Sequence, residues 1–100
     1  MVKKGALLPF FISNGMINSV YEWSDKRKEF YNHIVSLNGY YGDAHKLLKN
    51  IDNLVRDLNI LNVRFRNRKT PTIAQQEKML EINNAIDLLE KWLLVITLSQ

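Results

Sequence analysis

The sequence predicts an all-α fold: a three-helix bundle or an elongated helical hairpin, preceded by an apolar N-terminal arm. Three observations predict it. Leu and Ile recur at alternating steps of three and four along most of the chain, the spacing of one helical face. Only two Pro and four Gly interrupt its 100 residues, too few for many short strands and their turns. Two places, Asn38-Gly39 and Thr70-Pro71-Thr72, carry helix stop and start chemistry. The length implies one helical domain over residues 1–100 with a modest core.

Residues 1–13 read as the arm. Pro9 forbids a regular helix through it. The first helix is predicted near 15–38, with Ser13 or Asn14 available to cap it. Met16, Val20, Trp23, Phe30, Ile34 and Leu37 form its stripe, and Arg27 fills the one gap. Gly39 can then take the left-handed conformation that ends a helix without penalty, and Tyr40 is placed to fold back on the last turn.

A second helix is predicted near 43–67, with Asp43 as N-cap. Leu47, Ile51, Leu54, Leu58, Leu61 and Phe65 make its main row; Leu48, Val55 and Asn62 make a second beside it. Two adjacent rows give a face wide enough for a bundle. A third helix is predicted near 71–98, with Pro71 in its first turn and Thr72 paired with Gln75 in a capping box. Its stripe is Met79, Ile82, Ile86, Leu89, Leu93 and Ile96, flanked by Leu80, Ala85, Leu88, Trp92 and Val95. The short connection makes the second and third helices antiparallel neighbours. Arg27 and Asn62 each break an apolar row, either setting register or oligomeric state or sitting at the edge of the face.

The composition excludes several chemistries. There is no cysteine, hence no disulfide, thiolate metal site or thiol nucleophile. His33 and His45 are the only histidines; neither has a second His at i+3 or i+4, and Asp43 alone stands near His45, so no metal ligand set is expected. Glu77, Glu81, Asp87 and Glu90 are spread along the third helix and read as a solvated face rather than an acid–base pair. No phosphate loop, nucleophile elbow or catalytic triad order is present. We therefore expect no catalytic residues and no cofactor.

The net charge is +4, unevenly placed: +1 over residues 1–43, +5 over 44–69 and −2 over 70–100. Arg64, Arg66, Arg68 and Lys69 account for the whole excess. They read either as cations complementing the dipole at a helix C-terminus or as phosphate-gripping groups of a small nucleic-acid binder, with Phe65 between them. Tyr40-Tyr41-Gly42 forms an aromatic loop that closes the end of a small core.

Both ends of the chain carry an apolar surplus. Leu7, Leu8, Phe10, Phe11 and Ile12 in the arm, and Trp92, Leu94, Val95 and Leu98 at the end of the third helix, exceed what a three-helix monomer easily covers; the arm can cover the helix end within the same chain, or a partner subunit can. These residues are the expected contact surface of a non-enzymatic assembly or interaction subunit, binding a protein partner or a second copy of itself. Lys3 and Lys4 before the arm loosely resemble the start of a secretory signal, but the run is short and broken by Pro9. Neither terminal run approaches the roughly 18 apolar residues of a membrane span. Abundant Lys, Asn and Ile suggest AT-rich coding DNA and a phage or bacterial accessory protein, cytoplasmic or in a virion.

Arg27-Lys-Glu-Phe-Tyr-Asn-His33 has the R-x5-H spacing and is similar to the motif of HEPN-type ribonucleases. That resemblance covers seven residues and implies Arg27 and His33 acting together on an RNA phosphate. The sequence departs from the pattern at Lys28, where the family usually has a small polar residue.

Overall fold

The computed structural model describes residues 16–39 and 41–100. Three α-helices, α1 (Trp23–Ser36), α2 (Gly42–Arg64) and α3 (Ile73–Ser99), follow one 3-10 turn at Val20–Glu22, and there is no strand among the described residues. The expected all-α hairpin-plus-helix architecture is what forms. The expected arm lies outside the described residues, as does Tyr40.

Side-chain contacts fix the topology. Trp23 reaches Asp52, and the Tyr31 ring lies 5.6 Å from that of His45, so α1 runs antiparallel to α2. Asn62 bonds Gln75 at one end of the hairpin and Tyr41 meets Trp92 edge-on at the other, so α2 and α3 are also antiparallel. At about 1.5 Å per residue, α1 is about 21 Å long, against about 35 and 40 Å for α2 and α3. The short helix therefore covers one part of the hairpin, and Asn18 and Ser19 ahead of it reach on toward the tip, beside Asn62, Pro71 and Gln75. The molecule measures 50 × 24 × 17 Å.

Trp23, Phe30 and Ile34 from α1, Ala44, Leu48, Ile51 and Leu58 from α2, and Ile82, Ile86, Leu89 and Leu93 from α3 form the core. Four expectations need correction. Met16 is 50% exposed, and Ile17 takes its place at 1%. The chain there is extended (Ser19 φ −151°, ψ 159°), so helical spacing does not apply until Val20. Asp43 is not the N-cap of α2; Tyr41 is, without a side-chain bond, and Asp43 stands in the first turn, where the helix dipole still favours a carboxylate. α2 stops at Arg64 rather than near 67, and Phe65–Asn67 form a turn closed by Arg68 N–H donating to the Phe65 carbonyl at 3.0 Å. Pro71 precedes the cap of α3 instead of lying in its first turn. The Thr72–Gln75 capping box itself forms with both bonds present, at 2.7 and 3.2 Å.

Two amide side chains, Asn83 of α3 and Gln100 just past its end, moor the segments that flank α1. Asn83 accepts from the Ile17 N–H at 2.8 Å and donates to the Ile17 carbonyl at 3.0 Å. Gln100 does the same to Asn38, at 2.7 and 3.2 Å. Gly39, with φ +114°, follows at once; a side chain there would strain the backbone, although its Cβ would make only ordinary contact with the Tyr41 ring at 3.4 Å.

Candidate functional site

The helix α3 is apolar on two opposite faces. One face, Ile82, Ile86, Leu89 and Leu93, is fully buried. The other carries Ile73, Leu80, Leu88, Val95 and Leu98, all between 58% and 74% exposed. At about 100° per residue these five fall within an arc of about 80°, centred opposite the core. With Glu77, Asn84 and Lys91 between them they continue in steps of four and three from 73 to 98, the spacing of a helix-pairing seam. Among the described residues α1 and α2 both lie on the other side of α3 from this ribbon.

Of the expected α3 contact residues, Val95 and Leu98 stand on this outer ribbon. Trp92 does not: it is half-buried against Tyr41 and, with Leu47 and Leu88, lines a groove of about 410 Å³ along the open side of the hairpin, rimmed by Asp43, Lys46 and Asn50. Leu94 is half-buried against the core. Leu7, Leu8, Phe10, Phe11 and Ile12 lie outside the described residues. Leu80 and Leu88 read as flanks of the core stripe in sequence but belong to the outer ribbon. At about 100° per residue, Leu80 and Leu88 stand more than about 100° around the helix from Ile82 and Ile86.

The polar residues that break the apolar rows link helices. Asp52 accepts from the Trp23 indole N–H at 2.7 Å and from Arg27 Nε at 2.9 and 3.0 Å, tying α1 to α2. Asn62 accepts from Gln75 at 2.8 Å, tying α2 to α3 near the tip. Arg27 and Asn62 are both only partly buried, so they sit at the edge of the core. Asp52 and Asn83 escaped sequence reasoning, since neither breaks an apolar pattern in a way spacing can flag.

Arg27 and His33 do not come together on one open surface. Six residues of helix turn through about 600°, which puts them on different sides. Arg27 is engaged by Asp52. His33 is 5% exposed, and its Nε2 lies 2.8 Å from Thr97 Oγ1. That hydroxyl donates to the Leu93 carbonyl at 2.6 Å, so its oxygen accepts and the network assigns the ring proton to Nε2. Burial lowers the His33 pKa from its ordinary 6.5. Burial also raises that of Glu90, with Asp87 adding to the rise and Lys26 opposing it. Among the described residues no three His, Cys, Asp or Glu side chains gather as metal ligands would.

Arg64, Arg66, Arg68 and Lys69 stand exposed at the hairpin tip. Glu77, Glu81 and Asp87 are exposed, as a solvated face requires, but Glu90 is not part of that face: it is half-buried, with its Oε2 away from solvent. Glu81 pairs with Lys78 at 3.1 Å; the other ion pairs among the described residues are Arg27–Asp52 and Lys91–Asp87. No described helix is long and apolar enough to cross a membrane. In comparisons with known proteins, no family model, curated protein or solved structure matches this chain.

Proposed function

We propose that the chain is a non-enzymatic assembly subunit that pairs with a second copy of itself along the outer ribbon of α3. The observation that carries this reading is the second apolar face, five large side chains in one line opposite the core. Exposed apolar patches of this kind mark partner surfaces, and burying each such side chain contributes about 1 kcal/mol or more.

The ribbon itself argues for self-pairing and for its direction. Leu80 and Val95 lie eight residues before and seven after Leu88, so the central three of the five are nearly symmetric about Leu88, while Ile73 and Leu98 fall outside that symmetry. An antiparallel pair with its two-fold axis at Leu88 sets Leu80 against Val95 of the other copy, as an isologous interface requires. It also brings Lys91 toward Asn84 and Asp87 of that copy. A parallel, in-register pair would stack Lys91 on Lys91 and Glu77 on Glu77, which like-charge repulsion disfavours. The Lys-, Asn- and Ile-rich composition suits a phage or bacterial accessory protein.

The test is the mass in solution of the unmodified chain and of Leu88→Glu across a concentration series. A dimer that Leu88→Glu converts to monomer, with helicity retained, supports the proposal. A strict monomer at every concentration, or a dimer indifferent to Leu88→Glu, overturns it.

A further inference from the structure

We propose that the α2–α3 hairpin tip binds the phosphate backbone of nucleic acid without regard to sequence, through Arg64, Arg66, Arg68 and Lys69. This goes beyond self-pairing and uses a different surface. The four cations fall within six residues, and no carboxylate lies between Asp57 and Glu77 in the chain. None of the four is in an ion pair among the described residues, whereas Arg27, Lys78 and Lys91 each are. Without these four side chains the net charge of +4 would be zero.

Complementing the dipole at the end of α2 accounts for one of them. Only Arg64 is within the helix, because α2 ends there; Arg66, Arg68 and Lys69 are carried past it on the turn. The next helix reinforces the local sign, for α3 begins with no acid in its first turn. The display is also ordered. The Phe65–Arg68 turn bond, the Asn62–Gln75 link and the Thr72 capping box hold the connection between the helices. Holding four like charges together costs electrostatic energy, and a polyanion laid across them offsets it.

The chemistry favours nucleic acid over the other polyanions. Three of the four cations are Arg, whose planar fork matches phosphate oxygens. The turn presents no exposed large apolar side chain to wedge into a bilayer: Phe65 is half-buried, with Arg66, Arg68 and Lys69 around a cleft of about 210 Å³ beside it. Val63 and Ile73 are exposed in the last turn of α2 and the first turn of α3, flanking the cations rather than standing among them, so a vesicle arm belongs in the test.

The test uses fluorescence anisotropy of the full chain with a labelled mixed-sequence 30-nucleotide strand and a 30-base-pair duplex from about 50 to 200 mM salt. Four phosphate contacts predict a loss of affinity of about 50-fold for the strand and 150-fold for the duplex over that range. Arg66→Gln/Arg68→Gln, on exposed positions outside the helices, should halve the salt slope, while Lys49→Gln leaves it unchanged. Absence of binding at 50 mM salt overturns the proposal. So does binding that Arg66→Gln/Arg68→Gln does not weaken, or tip-dependent binding to phosphatidylserine vesicles with none to either nucleic acid.

Discussion

Truncating Asn83 to alanine releases the segment that leads into α1. In the folded chain the Asn83 amide satisfies both backbone polar groups of Ile17, at 2.8 and 3.0 Å, in a place where Ile17 is 1% and Asn83 7% exposed. Removing it leaves a buried N–H and a buried carbonyl without their partner, each costing about 1–3 kcal/mol. Partial opening to water reduces the sum, so the expected loss is about 2–4 kcal/mol. A domain of this size has a total stability of about 5–15 kcal/mol. At about 4–8 °C per kcal/mol the midpoint of thermal unfolding should fall by about 8–30 °C. Circular dichroism melts measure this directly. Asn83→Leu keeps the volume but not the bonds and should lose nearly as much, which separates hydrogen bonding from cavity formation. Asn84→Ala, one residue on and exposed, should change stability by less than about 0.5 kcal/mol. An Asn83→Ala melt within two or three degrees (about 0.5 kcal/mol) of the unmodified chain would refute the mooring role.

Asp52→Ala should cost about 1.5–3 kcal/mol, mostly because the Trp23 indole N–H loses its acceptor, the Arg27 pair being over a third exposed and worth little. Asp52→Asn keeps an acceptor for the indole and should lose less than half as much in urea titrations; equal losses would put the weight on the ion pair instead. Burial holds His33 below its ordinary 6.5, so the unfolded chain takes up the proton first as pH falls. The contribution of His33 is therefore fully present above about pH 6.5 and is lost below it, down to the folded-state pKa. Melting temperature should decline from pH 7.5 to 5.5, and His33→Gln, which can still donate to Thr97, should flatten that decline; an unchanged slope would remove His33 as its source. Glu90, raised by burial, acts with the opposite sign, since its protonation favours the folded state.

α2 and α3 are legible because each is built on a long Leu/Ile row that a 3.6-residue period explains, α1 because Trp23, Phe30 and Ile34 keep the same spacing, and the start of α3 because Thr72-x-x-Gln75 is a strong start signal. What sequence reasoning missed has physical causes. Met16 and Ile17 exchanged roles because the extended backbone before Val20 breaks the helical period, and nothing local announces that. α2 ended early because Phe65–Asn67 turn where a helix could have continued, which moved three of the four tip cations off the helix. Leu80 and Leu88 read as core flank in sequence because a simple three-and-four spacing does not separate opposite faces over many turns. Asn83 and Asp52 were invisible because their value lies in partners 66 and 29 residues away. At the candidate surface, Val95 and Leu98 were found as exposed apolar residues, whereas Trp92 and Leu94 were absorbed into neighbouring contacts that only the packing of three helices creates.

Light scattering at several concentrations, run on the unmodified chain and on Leu88→Glu, measures the central consequence of a helix that is apolar on both sides. The mass should approach twice the chain's 11.7 kDa for the unmodified protein and return to 11.7 kDa for the variant with helicity intact. A chain that stays at 11.7 kDa throughout, with the outer ribbon of α3 left open to water, would contradict it.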